Sequence, residues 1–289
     1  MRSSRSALPI GRGSHISTDA EFADRLIAIE HAGDERLTAF RLNERGLASR
    51  SDKRDDSGAG LFLAEGDLVV ERALDAGCVP VSALADGANI PPVALRLTDA
   101  IDVFVGGDDV RRLVTGLGMS HPIIALFRRP PRPSAAELIA RSSRLVVIEG
   151  VDNPANVGSI VRNAAALGWD GLLLDHTSAD PLSRRALRVA MGTAFSIPHA
   201  RTTALVDELR AATDRRLYSL TPDPAATDIR DIGAAIDPQE RRAVLIGSER
   251  AGLSAEVLAT TIPIRIPMAS GVDSLNAAAA AAVACYALA

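Results

Sequence analysis

Cysteine is scarce in this 289-residue chain, which contains only Cys78 and Cys285, far apart in the sequence. Two isolated thiols indicate neither a disulfide framework nor a cysteine-based zinc site. Such a chain suits a reducing compartment, so we predict a cytoplasmic location.

Long apolar runs are also absent. The chain has no uncharged apolar stretch of about 18 residues, the length that a membrane-spanning helix needs. Its first residues include Arg2, Arg5 and Arg12 but lack the apolar core of a signal peptide. We therefore expect neither a membrane partner nor secretion.

Lysine is nearly missing, since Lys53 is the only lysine among 32 basic residues. A Walker phosphate loop requires a lysine after its second glycine, so this kind of nucleotide site is excluded. No Gly-x-Gly-x-x-Gly follows a predicted strand, which leaves the dinucleotide fingerprint unmatched. The net charge of -4 argues against bulk attraction to nucleic acid, so RNA would have to bind to a local patch.

Metal and hydrolase chemistry are not indicated. His31 and Glu35 are the nearest approach to a metal pair, but Gly33 interrupts their segment and a third ligand is lacking. The other histidines are scattered, and none is linked to a serine or cysteine nucleophile. We expect no metal site.

Composition divides the first half of the chain into three parts. Residues 1–18 are rich in Ser, Arg and Gly without periodicity and are predicted to form a flexible tail. Residues 19–130 contain short apolar runs typical of a small α/β domain, with an exposed loop at 43–60. The prolines after residue 129 indicate a stiff connector, so residues 131–143 are predicted to be a linker with a connecting helix from Ala135 to Arg141.

The second domain, residues 144–289, alternates apolar strands with helical patterns. Strands are expected at 145–148, 171–174, 216–220, 243–246 and 262–266, and helices at 157–167, 184–190, 203–211 and 274–288. This alternation predicts a largely parallel sheet covered by helices on both faces, which is an α/β fold.

A first polar motif, Asp152–Arg162, follows the first strand of this domain. Asn156 is placed to cap the start of the next helix. Arg162 lies off the apolar face of that helix, so it is available to a ligand unless it is simply a solvated surface arginine.

Two further motifs begin at Gly247 and Ile266. Glu249 could orient an arginine or a ligand amine, or it could stabilise the start of the next helix. Ser274 and Asn276 are expected in the first turn of an alanine-rich helix, where backbone N–H groups are unpaired. The alternative for Ser274 is a simple helix cap.

Taken together, the three motifs resemble those of the SpoU/TrmH family of RNA ribose 2'-O-methyltransferases, across roughly residues 144–289. The resemblance implies a C-terminal parallel-sheet domain with a deep trefoil knot. It also implies a smaller N-terminal α/β domain that binds the RNA substrate and is similar to RNA-binding ribosomal proteins. S-adenosyl-L-methionine is the implied cofactor, ribosomal or transfer RNA the implied partner, and a homodimer through the C-terminal domain the implied assembly.

The resemblance also assigns roles to single residues. Its catalytic set falls on Asn156, Arg162, Glu249, Ser274 and Asn276, and its cofactor-binding set on Gly247, Ile266, Met268 and Leu275. Because an arginine stays protonated in proteins, we expect Arg162 to bind a phosphate and to stabilise the negative charge that develops on the ribose oxygen. Asn156 and Glu249 are then expected to fix its orientation.

For RNA contact we predict arginines near the connector and on the helix at 184–190. They are Arg128, Arg129, Arg132, Arg141, Arg144, Arg184, Arg185 and Arg188. A plain solvated surface is the alternative for these residues. Two other functions stay open at this point: a non-catalytic RNA-binding or assembly factor on the same fold, and a methyltransferase that acts on a base nitrogen of RNA.

Overall fold

The computed structural model describes residues 25–48, 60–116 and 121–289. The tail predicted at residues 1–18 lies outside these ranges, as does most of the loop predicted at 43–60. Where that loop is described, it contains a short helix, α1 (Glu44–Leu47). The Asn43 side chain accepts a 3.0 Å hydrogen bond from the Gly46 N–H, and this cap starts a helix where only a loop was predicted.

The N-terminal half is built around a five-stranded sheet. Its strands are β1 (Leu26–Ile29), β2 (Leu61–Glu65), β3 (Pro80–Asp86), β4 (Asp102–Gly106) and β5 (Ile123–Arg128). Their order is β1-β4-β3-β5-β2, with β1, β4 and β3 parallel and β5 antiparallel to both its neighbours. Helices α2 (Asp67–Asp75) and α3 (Asp108–Thr115) follow β2 and β4, and short 3₁₀ helices lie at Glu35–Arg41 and Pro92–Arg96.

Helix α2 shows how the local sequence produces this unit. Gly66 turns the chain directly after β2 with φ +88°, a conformation that favours glycine. Val69, Val70 and Ala73 then form the buried face of the helix at helical spacing. The predicted strand, turn and helix are all present.

The connector ends in α4 (Ala135–Arg141), a helix at the predicted residues. Ser134 and Glu137 form a capping box, in which Ser134 Oγ accepts from the Glu137 N–H at 3.2 Å and the Glu137 carboxylate accepts from the Ser134 N–H at 2.8 Å. This helix leads directly into the second sheet.

The second sheet has seven strands. They are β6 (Arg144–Ile148), β7 (Gly171–Asp175), β8 (His199–Thr202), β9 (Arg216–Leu220), β10 (Thr227–Asp228), β11 (Arg242–Ile246) and β12 (Ile262–Arg265). Their order is β10-β12-β9-β11-β6-β7-β8, and every pairing is parallel. The predicted α/β class with a parallel sheet is confirmed, although β8 and β10 were not predicted.

Helices connect these strands. They are α5 (Pro154–Ala166), α6 (Arg184–Val189), α7 (Leu205–Ala211), α8 (Ile229–Ala235), α9 (Ala255–Leu258) and α10 (Ala277–Ala287), with a 3₁₀ helix at Thr193–Phe195. None of the helices in the described ranges has the length and apolarity that crossing a membrane requires.

Apolar packing is continuous between the two sheets. One cluster of buried side chains contains Phe62 and Val70 of the N-terminal half together with Val146 and Val157 of the C-terminal half. A second cluster fills the other face of the second sheet beneath α4, α7 and α9, and a third lies on the other face of the first sheet. The two halves therefore share one core, and their relative placement is set by packing.

Candidate active site

The loops that carry the three motifs follow β6, β11 and β12 and open at the same edge of the parallel sheet, where ligands bind in folds of this class. Glu149 joins the first two loops. Its N–H donates to Ile246 O at 3.0 Å, and its carboxylate accepts hydrogen bonds of 2.8 Å from both the N–H and the Oγ of Ser254. Sequence reasoning had not singled out Glu149, although an acidic residue at the end of a strand is a usable signal.

Two asparagines join the third motif to the first. Asn276 Nδ2 donates to Asn156 Oδ1 at 3.1 Å, across 120 positions of sequence. The Oδ1 of Asn276 accepts from the N–H groups of Ala278 at 2.9 Å and Ala279 at 3.4 Å. One side chain thus caps α10 and ties it to α5.

Asn156 does not cap α5, so that prediction was wrong. Asn153 is the cap, because its Oδ1 accepts from the Ala155 N–H at 3.0 Å. Pro154 occupies the first helical position, which suits its fixed φ and missing N–H. Asn156 consequently lies inside the helix and is only 8% exposed, which directs it to Asn276.

Helix α10 begins at Ala277, so Ser274 and Asn276 precede the helix instead of occupying its first turn as predicted. The boundary falls there because Asn276 satisfies two of the free N–H groups itself. Ser274 is exposed and forms no hydrogen bond with any described residue. Its hydroxyl is available to a ligand.

Arg162 lies on the exposed side of α5. Its guanidinium has no hydrogen bond or ion pair with the described residues. A cavity of about 300 Å³ adjoins it, lined also by Leu68 and Arg72 of α2 and by Met191 and Ser196. The N-terminal half therefore supplies one wall of the space beside this arginine.

Met191, in the same cavity wall, has φ +54°. This left-handed conformation costs a residue other than glycine about 1–2 kcal/mol. Arg72 holds it by donating a hydrogen bond to the Met191 carbonyl, and its side chain packs on Gly192, where an added Cβ would lie 3.1 Å from Arg72 Cδ. Strain of this kind concentrates at functional sites, and because it depends on a contact between the halves, the sequence did not reveal it.

The predicted contacts of Asn156 and Glu249 with Arg162 are absent among the described residues. Glu249 is exposed in a tight turn that is closed by pairing between Ser248 and Gly252, and its carboxylate has no partner in the described ranges. Asn156 is engaged with the third motif instead. Arg162 is therefore free to turn toward a ligand.

The residues expected at the cofactor lie on the second and third loops. At Gly247 an added Cβ would lie 2.2 Å from the carbonyl carbon of Gly252, so the tight turn accepts only glycine. Ile266 and Met268 are half-buried, and Leu275 is 40% exposed. The four positions thus offer backbone and apolar surface at one sheet edge.

The third loop leaves most of its main chain unpaired. Between residues 267 and 275 the one backbone hydrogen bond within the described chain runs from the Val272 N–H to Ala269 O, at 3.1 Å. Residues 269–276 are all exposed. Free main-chain donors and acceptors beside apolar side chains fit S-adenosylmethionine, which presents both a base and several polar groups.

Asp175, another residue missed by the sequence reasoning, holds the first motif loop in place. Its carboxylate accepts hydrogen bonds of 3.0 Å from the N–H groups of Gly150, Thr177 and Ser178. Burial would raise the pKa of Asp175, but the hydrogen bonds from Ser178, Thr177 and Gly150 outweigh it and lower that pKa below its ordinary value. An ionised Asp175 therefore anchors the loop in front of α5.

Among the eight arginines predicted to contact RNA, Arg129, Arg184 and Arg188 form ion pairs within the protein, and Arg132 also has a partner. Arg129 pairs with Asp180 at 2.5 Å, and although burial alone would raise the pKa of Asp180, Arg129 lowers it to about 2. Arg184 and Arg188 both pair with Glu65 of the N-terminal half. Apart from the three that form these ion pairs, the arginines are exposed or half-buried: Arg128, Arg132, Arg141, Arg144 and Arg185.

The described residues contain no cluster of three or more His, Cys, Asp or Glu side chains that could hold a metal ion.

Comparison with known families matches residues 143–286 to the SpoU rRNA Methylase family. An uncharacterized tRNA/rRNA methyltransferase of Mycobacterium tuberculosis is 37% identical over 260 residues, with 88% of each chain covered. The chain belongs to the SpoU methylase family.

Other relatives of this SpoU protein have more specific names. The 23S rRNA (guanosine(2553)-2'-O)-methyltransferase RlmP of Bacillus subtilis is 30% identical over 238 residues, covering 81% of this chain and 90% of RlmP. The AdoMet complex of the SpoU methyltransferase AviRb from Streptomyces viridochromogenes superposes with a TM-score of 0.71 at 26% identity, over 88% of this chain and 97% of AviRb. An AdoMet-bound rRNA methyltransferase from Sinorhizobium meliloti shares the fold, with a TM-score of 0.75 at 24% identity over 91% of this chain and 97% of that one.

The resemblance read from the three motifs is thereby confirmed. As a SpoU family member the chain is an RNA methyltransferase, and S-adenosylmethionine is the cofactor of its family.

Proposed function

We propose that this SpoU protein transfers a methyl group from S-adenosylmethionine to a ribose 2'-hydroxyl of ribosomal or transfer RNA. The name of RlmP, a relative along most of the chain, specifies this reaction class. In the structure, the observation that carries the proposal is Arg162, which is exposed, has no partner among the described residues and lies beside a cavity of about 300 Å³. The same helix is tied through Asn156 to the third motif loop.

The reaction requires the ribose oxygen to lie in line with the methyl carbon and to lose its proton. When bound, S-adenosylmethionine supplies an activated methyl group. Arg162 is not suited to take the proton, because an arginine guanidinium stays protonated in proteins. Its role is to hold the neighbouring phosphate and to stabilise negative charge that develops on the ribose oxygen, while the proton leaves to solvent or phosphate.

The other members of the catalytic set position the site. Asn156 and Asn276, bonded at 3.1 Å, hold the third loop against α5. The exposed hydroxyl of Ser274 and the exposed carboxylate of Glu249 are available for the ribose and for a ligand amine. The main chain near Gly247 and from Ile266 to Leu275 would hold S-adenosylmethionine.

We also propose the deep trefoil knot that the family resemblance implies. β11 and β9 separate β6 from β12 in the sheet, yet α10, which follows β12, returns to pack on α5. Asn163 Nδ2 donates to Ala278 O at 3.1 Å, and Trp169 Nε1 donates to Cys285 O at 2.9 Å. A return of this kind across the sheet is compatible with threading, a rare topology in proteins.

Homodimerisation through the C-terminal domain is a further part of the proposal. Val283 and Tyr286 on α10 are 39% and 76% exposed, and Leu275 is 40% exposed just before that helix. Neighbouring exposed apolar side chains favour a protein interface.

The N-terminal half, residues 19–130, is proposed to bind the RNA substrate.

Arg162→Lys tests the proposed chemistry. Lysine keeps the charge but cannot reproduce the planar, two-donor contact with phosphate, so we expect turnover to fall by roughly 100-fold or more, as when one charge-stabilising donor is lost. S-adenosylmethionine binding, measured by calorimetry, should be unchanged. The control is Arg210→Lys, at an exposed arginine on α7, which should retain wild-type turnover; near-normal turnover of Arg162→Lys would refute the assignment.

Product analysis separates this function from the two alternatives. Labelled S-adenosylmethionine is incubated with unmodified ribosomal or transfer RNA, which is then digested to nucleosides. A 2'-O-methylated nucleoside is the expected product, whereas a methylated base would indicate nitrogen chemistry. No transfer on any unmodified substrate would favour a non-catalytic RNA-binding factor.

A further inference from the structure

A second and larger cavity, of about 580 Å³, lies where the connector meets the two halves. We call it the connector groove; its walls are Pro130–Pro133, Glu137 and Arg141 of α4, the end of α2 at Ala76, and the segment from Ala194 to His199. The function proposed above does not use it. Its walls combine proline, aromatic and aliphatic surfaces with charged groups.

His199 lines this groove and carries a polar atom that the fold leaves unsatisfied. The residue is only 6% exposed, and its Nε2 is fully buried without a hydrogen-bond partner among the described residues. A buried ring nitrogen without a partner costs free energy unless a ligand or water bonds to it. Burial, assisted by Arg132, lowers the pKa of His199 to about 3, so the imidazole is neutral at physiological pH.

The charged groups of the groove are predominantly positive. Arg132 and Arg141 line it, and the one carboxylate of its wall within the described residues, Glu137, is engaged in the capping box with Ser134. Phe195 and Pro198 provide flat apolar surface beside them. A ligand that matches these walls has an anionic part for the guanidinium groups and a heteroaromatic part for the apolar surface and the imidazole.

The connector groove and the cavity beside Arg162 flank the same contact between the halves. Leu68, Arg72 and Ala76 lie on one face of α2, at spacings of four residues. The first two line the cavity beside Arg162, and Ala76 lines the connector groove. At 1.5 Å per residue, Ala76 lies about 6 Å from Arg72 and about 12 Å from Leu68 along the helix direction. A nucleic-acid strand spans such a distance with few nucleotides.

We propose that the connector groove binds a nucleotide of the substrate RNA that flanks the methylated one, with its phosphate on Arg132 and Arg141 and its base against Phe195, Pro198 and His199. This inference rests on the proposed function for the identity of the ligand. It predicts a single-stranded segment at this point of the substrate, because only an unstacked base can enter a groove.

The test measures the affinity of the full-length protein for a fluorescent single-stranded oligouridylate by anisotropy. Arg141→Ala should weaken binding roughly tenfold, since it removes a charge-assisted contact with phosphate. His199→Leu should weaken binding several-fold while the protein unfolds at the same or a higher temperature, because leucine removes an unsatisfied polar group. Arg210→Ala, which removes one exposed charge on α7, is the matched control and should bind like the wild type.

Proton NMR of the His199 imidazole, assigned by its absence in His199→Leu, localises the effect. The oligonucleotide should shift this resonance, and inorganic phosphate at the same concentration should not. An unmoved resonance, an equal shift with inorganic phosphate, or equally tight binding of uridine monophosphate would each overturn the proposal. If the oligonucleotide binds in the groove but no methyl group is transferred to unmodified ribosomal or transfer RNA, the proposed function fails and nucleotide binding in the groove stands. If transfer to such RNA occurs but both variants keep wild-type affinity for the oligonucleotide, the proposed function stands and the groove assignment fails.

Discussion

At the scale of single residues, Gly158 determines how closely α5 and α6 approach each other. A Cβ at this position would lie 2.4 Å from Ala186 O and 2.9 Å from Ala186 Cα. Alanine normally stabilises a helix interior relative to glycine by about 1 kcal/mol. Here Gly158→Ala must displace the backbone of α6, so we expect a net loss of about 1–3 kcal/mol in the free energy of unfolding, measured with urea.

The control for this substitution is Gly46→Ala in α1. Its added Cβ would meet only the side chain of Leu42, at 3.3 Å, which is exposed and able to move. We expect Gly46→Ala to be neutral or slightly stabilising. Equal effects of the two substitutions would show that α5 and α6 are not packed backbone to backbone.

His199 makes a residue-scale contribution to the pH dependence of stability. Burial is the largest cause of its lowered pKa, which falls from 6.5 to about 3; Arg132, Arg129 and Arg201 add to the lowering, and Asp180 opposes it. Between those two values the unfolded chain binds a proton that the folded protein does not. Stability should therefore fall as the pH drops through this window, by up to about 1.4 kcal/mol per pH unit.

His199→Leu removes that titrating group. Urea unfolding between about pH 3 and 6.5 should show that the variant loses less stability than the wild type as the pH falls. Above pH 6.5 the free energy of unfolding should change with pH in nearly the same way in both proteins. Parallel curves for the two proteins throughout would contradict the buried, neutral imidazole.

At the scale of elements, the sequence predicts best those strands whose residues are uniformly apolar. The strand expected at 145–148 is β6, because Leu145 and the residues after it are buried on both faces of the sheet. β8 was missed because it reads His199-Ala200-Arg201-Thr202, a largely polar pattern. Its burial depends on distant partners, such as Ser178 O, which accepts a hydrogen bond from Arg201 at 2.5 Å.

In the candidate site, too, the sequence predicted features that depend on local residues and missed those that depend on distant partners. Motif order alone was enough to select Asn156 and Asn276, but their mutual hydrogen bond depends on how α10 packs against α5. The engagement of Arg184 and Arg188 by Glu65 could not be predicted, since it requires the relative placement of the two halves. Local patterns identify residues, and tertiary packing decides their partners.

Asn276 permits a test of the link between α10 and α5. Asn276→Asp keeps an oxygen that caps Ala278 and Ala279 but loses the Nδ2 donor to Asn156. We expect it to retain near-normal stability, whereas Asn276→Ala should lose about 0.5–2 kcal/mol with the cap. Both variants should bind S-adenosylmethionine more weakly by calorimetry, because the third loop is released; full affinity in Asn276→Asp would mean that the asparagine pair does not position the loop.

At the scale of the whole molecule, ion pairs to a buried carboxylate and apolar packing fix the N-terminal half against the C-terminal half. Glu65 is the centre of this junction, with a side chain only 1% exposed. It accepts from Arg184 Nε at 2.8 Å and from Arg188 Nη1 at 3.1 Å, and His121 Nε2 lies 3.9 Å away. The same contact orients α6, which packs on α5 at Gly158, so the junction extends to the helix that carries Arg162.

Glu65→Gln keeps the volume of this side chain but leaves the guanidinium groups without their counter-charge. Arg184 and Arg188 are 18% and 39% exposed, so their charges stay partly solvated when Glu65 loses its own. The weakened charge-assisted hydrogen bonds should then cost about 1–3 kcal/mol in the free energy of unfolding. Asp75→Asn is the control: Asp75 pairs with Arg96 at 2.7 Å with both side chains about half exposed or more, and a pair of that kind contributes less than about 1 kcal/mol.

Calorimetric unfolding of both variants measures these losses. If the junction joins the halves into one cooperative unit, Glu65→Gln lowers the whole transition or splits it in two, and a loss no larger than that of Asp75→Asn would show that apolar packing alone holds the halves together.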